Sequence, residues 1–327
     1  MKKIILALTL AAALTACKTG APLLPNVSGK AGEVLVVMEK SQWEDSLGAA
    51  TRDLLASECP YLALSEPLYT LVNVTPSAFG DIFKVHRNIV YFNVNAAVDS
   101  ASVFYRHNVW AQPQCVIQLN AKDAEEAVRL MDGNSANILS AIEQAERDRV
   151  VANCIRYEEK SLGEEVSEIF GGTMHFPMGY KLRKKTADFI WIADDKQYTM
   201  QDILIYSRSA DGRTDFEPET IIRRRNEMAR NNIPGMYENT WMTTAEFFTP
   251  QFENLGYKGR RFVQTRGYWE VENDYMGGPF VSHSFYSPDG RSVITAEAFI
   301  YSPKYDKRQY LRQVESILYS WEWKKEE

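Results

Sequence analysis

Histidine and cysteine are both scarce in this chain, 4 of each among 327 residues. His86, His107, His175 and His283 stand in no HExxH or HxH spacing, so a zinc hydrolase would have to gather its ligands from distant segments. No CxxC pair occurs, which removes the redox and structural-zinc sites that such spacing supports. A GxSxG elbow, a GxGxxG turn and a GxxxxGKS/T loop are also missing, so the chain offers neither a nucleophile elbow nor a phosphate-cradling loop. The sequence thus implies no cofactor and no metal. Positive charge is in deficit as well. The formal net charge is −6, and an acidic chain repels phosphate backbones, which speaks against nucleic acid as a partner.

What is present begins at residue 1. Lys2 and Lys3 precede an apolar run, Ile4 to Leu14, that is too short to span a bilayer, and the run closes on Leu14-Thr15-Ala16-Cys17. A charged start, a short apolar stretch and small residues before a cysteine are expected to form a lipoprotein signal peptide over residues 1–16, cut to leave an acylated Cys17. Cys17 is the expected lipidation site and the bilayer its expected partner. Lys18, in place of an Asp, points to the outer membrane, and the lack of an acidic cluster after Cys17 favours its periplasmic side. No further apolar run of about 18 residues follows, so the lipid is the one expected anchor. Cys59, Cys115 and Cys154 then remain, an odd number. Either one internal bridge forms or all three are buried thiols.

Residues 17–31, rich in Pro and Gly, read as a flexible tether. An N-terminal α+β region is expected over 32–170 and a C-terminal one over 171–327. In the first, Glu33 to Met38 reads as a strand and the segment around Trp43 to Leu55 as a helix. Strands follow near 68–74, 89–94, 103–109 and 115–119, with a short helix near 78–84, and 121–170 reads as mostly helical with a break at Asp132-Gly133-Asn134. In the second, strands are expected over 180–194, 202–207, 245–248, 260–271, 281–286 and 292–301. A helix is expected over 218–231 and another over 307–321, and Pro288-Asp289-Gly290 marks a turn. The expected fold class is α+β, with mixed or antiparallel sheets, packed helices and two halves of similar element order.

The most specific motifs lie in the C-terminal third: Arg266-Gly267-Tyr268-Trp269, Met276-Gly277-Gly278-Pro279-Phe280-Val281, Tyr301-Ser302-Pro303 and the segment from Lys307-Arg308 to Glu315. With Ser28-Gly29-Lys30 and Glu33 to Val37 near the start, they resemble a family of uncharacterised lipoproteins of Bacteroides-type bacteria, domain of unknown function 4837. The resemblance implies a diderm envelope and supplies no catalytic residue, cofactor or substrate. Read physically, Gly277-Gly278-Pro279 suits a tight connection between two strands. The competing reading has bare backbone at Gly277 and Gly278 open to a ligand.

Aromatics crowd the region after residue 246, including Phe247, Phe248, Tyr268, Trp269, Tyr275 and Phe280. Tyr and Trp keep a polar edge and favour interfaces, while an aromatic-rich core is the plainer alternative. The candidate binding surface is therefore Arg266, Trp269, Met276, Gly277, Gly278, Pro279, Phe280, Lys307 and Arg308. The expected function is a membrane-anchored envelope component that binds a protein or glycan in assembly or maintenance. Two other classes stay open. Carboxylates such as Asp194-Asp195, Glu164-Glu165 and Glu270/Glu272 could hydrolyse envelope glycans if a pair lay about 5 to 9.5 Å apart, and the chain could also be a structural subunit.

Overall fold

The computed structural model describes residues 23–324, so Cys17 and its acylation lie outside the described residues. The chain is α+β, with one mixed and one antiparallel main sheet. No helix among the described residues is long and apolar enough to cross a membrane.

In the first half, strands β1 (Glu33–Val37), β2 (Thr70–Val74), β3 (Asn88–Val94), β4 (Ser102–His107) and β5 (Cys115–Ala121) form a sheet in the order β2-β1-β3-β5-β4. All neighbours pair parallel except β4 with β5. Helices α1 (Lys40–Trp43) and α2 (Ser46–Leu55) follow β1, and a single turn, α3 (Asp81–Lys84), precedes β3. After β5 come α4 (Ala124–Gly133), α5 (Ser135–Arg156) and α6 (Lys160–Phe170). Aspartates start two of these helices: Asp45 accepts from Ser46 N and Asp123 from Glu126 N, both at 2.8 Å, which satisfies amides that the helix itself leaves free.

Parallel strands are covered on both faces and read as unbroken apolar runs, which explains Glu33-Val34-Leu35-Val36-Val37. Val34 and Val36 pack with Leu47, Leu55, Ala127, Met131, Ile138 and Ile142 of the helices. Leu35 and Val37 face the other way, under Phe79, Phe83 and Trp110.

The segment expected to be a free tether is docked from Pro25 onward. Pro25 O accepts from Gln112 N at 2.8 Å, and Ser28 donates to Val85 O at 2.8 Å while accepting from Arg87 N at 3.0 Å. At Gly29 the backbone is left-handed, φ +90°, and a Cβ would stand 2.5 Å from the His86 ring. Only glycine fits there, and this accounts for the Ser28-Gly29-Lys30 motif.

The second half is built on an antiparallel sheet of order β10 (Met242–Thr244), β12 (Arg260–Val271), β13 (Gly277–Tyr286), β14 (Ser292–Tyr301), β9 (Thr199–Ser209), β8 (Phe189–Lys196), β7 (Lys181–Lys185), with β11 (Gln251–Tyr257) also paired to β12. A two-stranded pair, β6 (Gly172–Thr173) with the last strand, β15 (Glu322–Trp323), stands apart. The strand expected over 180–194 is two, β7 (Lys181–Lys185) and β8 (Phe189–Lys196), followed by β9 (Thr199–Ser209) and α7 (Pro218–Asn232). The strand expected over 245–248 is loop; β10 (Met242–Thr244) ends just before it, and β11 (Gln251–Tyr257) begins just after. β11 escapes the sequence reading because it is a largely exposed edge strand with little apolar alternation. Strands β12 (Arg260–Val271), β13 (Gly277–Tyr286) and β14 (Ser292–Tyr301) match expectation, β13 starting earlier than expected, and α8 (Arg308–Leu318) closes the fold.

Side chains alternate across this sheet. Ile203, Ile205, Val281, Phe285, Ile294, Ala296 and Ala298 face α8 and α6. Leu204, Tyr206, Trp269, Phe280 and Phe299 face α7 with its Ala229. Leu162, Val166 and Phe170 of α6 belong to the first of these cores, so α6 packs with the second half. The similarity between halves stops at element order, because one sheet is mainly parallel and the other antiparallel.

Candidate functional site: an arginine-lined cavity between the halves

The sheet splits the expected binding surface in two. Trp269 and Phe280 are 2% and 1% exposed and pack in the core under α7. Gly277, Gly278 and Pro279 do not form the connection; they are paired residues of β13, opposite Glu270, Trp269 and Tyr268. The turn comes earlier, where Asn273 adopts φ 61°.

Glycine is required in these strands by close approach. A Cβ on Gly278 would stand 2.1 Å from the Ile300 carbonyl oxygen and 2.9 Å from Trp269 Nε1. That gap lets the indole reach over β13 and donate to Ile300 O at 3.1 Å. Gly267 likewise lies under Phe280, whose ring a Cβ would strike at 2.7 Å. Met276 is half-buried against the same core. As a candidate surface these residues are corrected to core: the two motifs hold large aromatic rings over bare backbone.

Arg266, Lys307 and Arg308 lie on the other side, where α8 meets the first half. Glu66, 6% exposed, accepts from Lys307 N at 2.7 Å and Arg308 N at 2.9 Å, placing a carboxylate at the positive end of the helix. Arg308, Arg312 and Glu315 follow at helical spacing, so one face of α8 presents all three. Arg312 grips Glu143 of α5 through Nε at 3.1 Å and Nη2 at 2.7 Å. Tyr69 OH also donates to Glu143. Burial alone would raise the Glu143 carboxyl, but the Arg312 charge and the hydrogen bonds from Arg312 and Tyr69 hold it below its usual range. Glu315 pairs with Arg266, which also donates to Gln264 Oε1 at 3.0 Å.

These groups surround a cavity of about 200 Å³, lined by Arg147, Arg266, Arg308, Arg312, Glu143 and Glu315 among others. Four guanidinium groups meet two carboxylates. Both carboxylates are already engaged, and Arg147 and Arg308 have no carboxylate ion-pair partner among the described residues. Arg147 instead stacks 3.6 Å over the Tyr319 ring. Arg308 reaches Pro67 O and Thr70 Oγ1, and its Nε is buried without an acceptor. Such a cavity can hold one anionic group. Cys59 also lines it, but burial pushes its thiol up to about 11, so it is protonated and unreactive at neutral pH.

Cys59, Cys115 and Cys154 are all buried and free. No group of three or more His, Cys, Asp or Glu placed to hold a metal occurs among the described residues. Asp194 pairs with Lys196 and Asp195 with Arg183, and Glu165 pairs with Lys185. Sequence reasoning found Arg266 and Arg308 but missed Arg147, Arg312 and Glu143, whose meeting depends on how the two halves dock.

Two family models match the chain. Residues 159–320 match the domain of unknown function DUF4837, and residues 27–154 match a second, DUF8532. The chain carries two uncharacterised domains. The motifs of the last third thus lie in the DUF4837 domain, while the Ser28-Gly29-Lys30 start belongs to DUF8532, and the cavity is formed where the two domains meet. No curated protein matches. Among solved structures, the Saccharomyces cerevisiae Ran-binding protein Mog1p is 9% identical, covering 46% of this chain and 89% of its own at a TM-score of 0.33. Human STARD10 is 8% identical, covering 49% and 80% at 0.25. A Bacteroides thetaiotaomicron protein is 10% identical, covering 48% and 46% at 0.22. Likenesses this weak carry no functional argument.

Proposed function

We propose that this chain is a lipid-anchored component of the bacterial envelope that works by binding, and that the cavity between its DUF8532 and DUF4837 domains takes an anionic group of phosphate or carboxylate size from its partner. The observation that carries the reading is the unmatched pair Arg147 and Arg308 beside two carboxylates already engaged by Arg266 and Arg312. An anion there neutralises charge that burial otherwise leaves costly. The leader sequence supports the anchor and the address, and the resemblance to envelope lipoproteins agrees with both.

Inorganic phosphate tests the cavity. At matched ionic strength, phosphate should raise the melting temperature above that in chloride, and Arg147→Ala and Arg308→Ala should each lose the increment. An equal response in chloride, or an increment that both variants keep, removes the anion site. The anchor is tested separately: Cys17→Ala should end incorporation of labelled fatty acid, and undiminished labelling would discard the lipoprotein assignment.

A further inference from the structure

Arg260 is held in a setting that leaves its charge uncompensated. It opens β12 beside the β11–β12 turn, with its guanidinium 4.6 Å from the Phe285 ring centroid and 5.1 Å from that of Phe262. Nη2 donates to Leu318 O at 3.2 Å. Nε and Nη1 are buried with no partner, so three of the five N–H groups of the side chain are idle. No carboxylate pairs with it among the described residues. Burial pushes its pKa down to about 10, which still leaves it charged at neutral pH.

A second idle donor lies on the same wall. Trp321 Nε1 is buried and unpartnered, and its ring is fixed in place against Gly172, where a Cβ would strike it at 2.4 Å. Trp321 and Trp323 meet edge to face, centroids 5.4 Å apart. Around them open two clefts that share Arg260 and Trp323, one of about 420 Å³ with Trp321, Tyr257 and Lys258, the other of about 780 Å³ with Phe262 and Tyr286. Both volumes are of small-molecule size. Every missing partner is an acceptor, and the walls are largely aromatic; the one carboxylate on them, Glu322, lies 3.5 Å from His175 Nε2.

We propose that this cleft binds a small amphipathic acid, its carboxylate or phosphate taken by Arg260 with help from Trp321 Nε1, and its flat apolar body lying against Trp321 and Trp323. An acid head supplies the acceptors that three guanidinium N–H groups and the indole lack, while aromatic walls favour offset or edge contacts with a flat body. The site is separate from the cavity between the domains. It uses the free edge of the DUF4837 sheet and the segment that follows α8, with Val151 and Ile155 of α5 on one wall of the smaller cleft.

Calorimetry of the full-length chain with 2-naphthoate, and with the uncharged 2-naphthalenemethanol, tests this. Naphthoate should bind at least tenfold more tightly than the alcohol. Arg260→Met should weaken naphthoate at least tenfold while the protein melts no earlier, since the substitution removes a half-buried, unpaired charge and keeps the apolar stem. Trp321→Phe, which keeps the ring packing and removes the N–H, should weaken naphthoate several-fold. Equal affinity for acid and alcohol, or naphthoate binding that survives Arg260→Met, overturns the proposal. Naphthoate binding that Arg147→Ala abolishes and Arg260→Met spares would assign it to the cavity between the domains and overturn the proposal as well.

Discussion

The antiparallel sheet carries one arginine on each face, fully buried on one and half-buried on the other, and the two are treated in opposite ways. On the α7 face, Arg225 is 1% exposed and saturated. Its Nε and Nη2 reach Glu297 at 2.9 and 2.7 Å, Nη1 donates to Thr244 Oγ1 at 2.9 Å, and the guanidinium stacks 3.9 Å over Phe280. On the α8 face, Arg260 has one carbonyl and two rings. A buried charge whose three nitrogens are all matched holds a core in register, whereas a half-buried one with idle donors leaves a vacancy that a ligand of opposite charge fits.

The largest effect separates core from surface. Trp269→Ala with Phe280→Ala removes two fully buried aromatics, each costing about 3–5 kcal/mol, so the double variant should be lost from the soluble folded fraction in melting and yield measurements. A variant that folds normally and fails only to bind would return these residues to a surface. Next comes Arg225→Met, which strands Glu297 and should lower stability by about 3–5 kcal/mol in denaturant titration. Adding Glu297→Leu should recover most of that loss. If the single and double variants unfold together, the saturated pair is not coupled and the contrast between the faces fails.

Asp202 gives a third, pH-dependent case. It is fully buried on the α7 face, its Oδ1 accepts from Trp191 Nε1 at 2.7 Å, and burial pushes its carboxyl up to about 7 despite that bond. The unfolded chain releases this proton near pH ~3.9, so between there and about 7 the folded state binds more protons. Stability from this group is therefore full at low pH and falls as pH rises through that window. Asp202→Asn should be more stable than the parent at pH 8, and its advantage should vanish toward pH 4; an advantage unchanged with pH would dismiss the buried proton. The smallest effect is Arg260→Met, which should leave stability unchanged or raise it by up to about 1 kcal/mol. The same substitution thus has opposite consequences on the two faces, and a large loss at Arg260 would erase the distinction.

Much of the fold was legible because its strands are bounded by clear turn residues and its helices carry caps or apolar stripes. Val34 to Val37 and Ile203 to Ile205 declare buried strands by composition alone. β11 did not, being polar and at an edge, and neither did the direction of pairing, which distant partners set. At the site, Arg266 and Arg308 stood out by motif, but so did Trp269 and Gly278. Glycine beside an aromatic reads the same whether the backbone is bare for a ligand or for a neighbouring ring. Arg147 carried no local signal, and nothing beside Arg312, within the motif from Lys307 to Glu315, or beside Arg260, next to Arg261, told it from a solvated arginine, since an arginine with idle donors is defined by neighbours far along the chain.

Glu66 and Glu143 belong to the first domain, yet what answers them, the Lys307 and Arg308 amides and the Arg312 guanidinium, lies at the far end of the sequence. Chains are made from the N-terminus. The first domain therefore emerges with Glu66 lacking these amides and Glu143 held by Tyr69 but not yet by Arg312, until α8 is made. Completion of the protein is thus written into the first domain as a requirement. A chain broken off before residue 307 lacks the amides and the guanidinium that hold Glu66 and Glu143 across this joint.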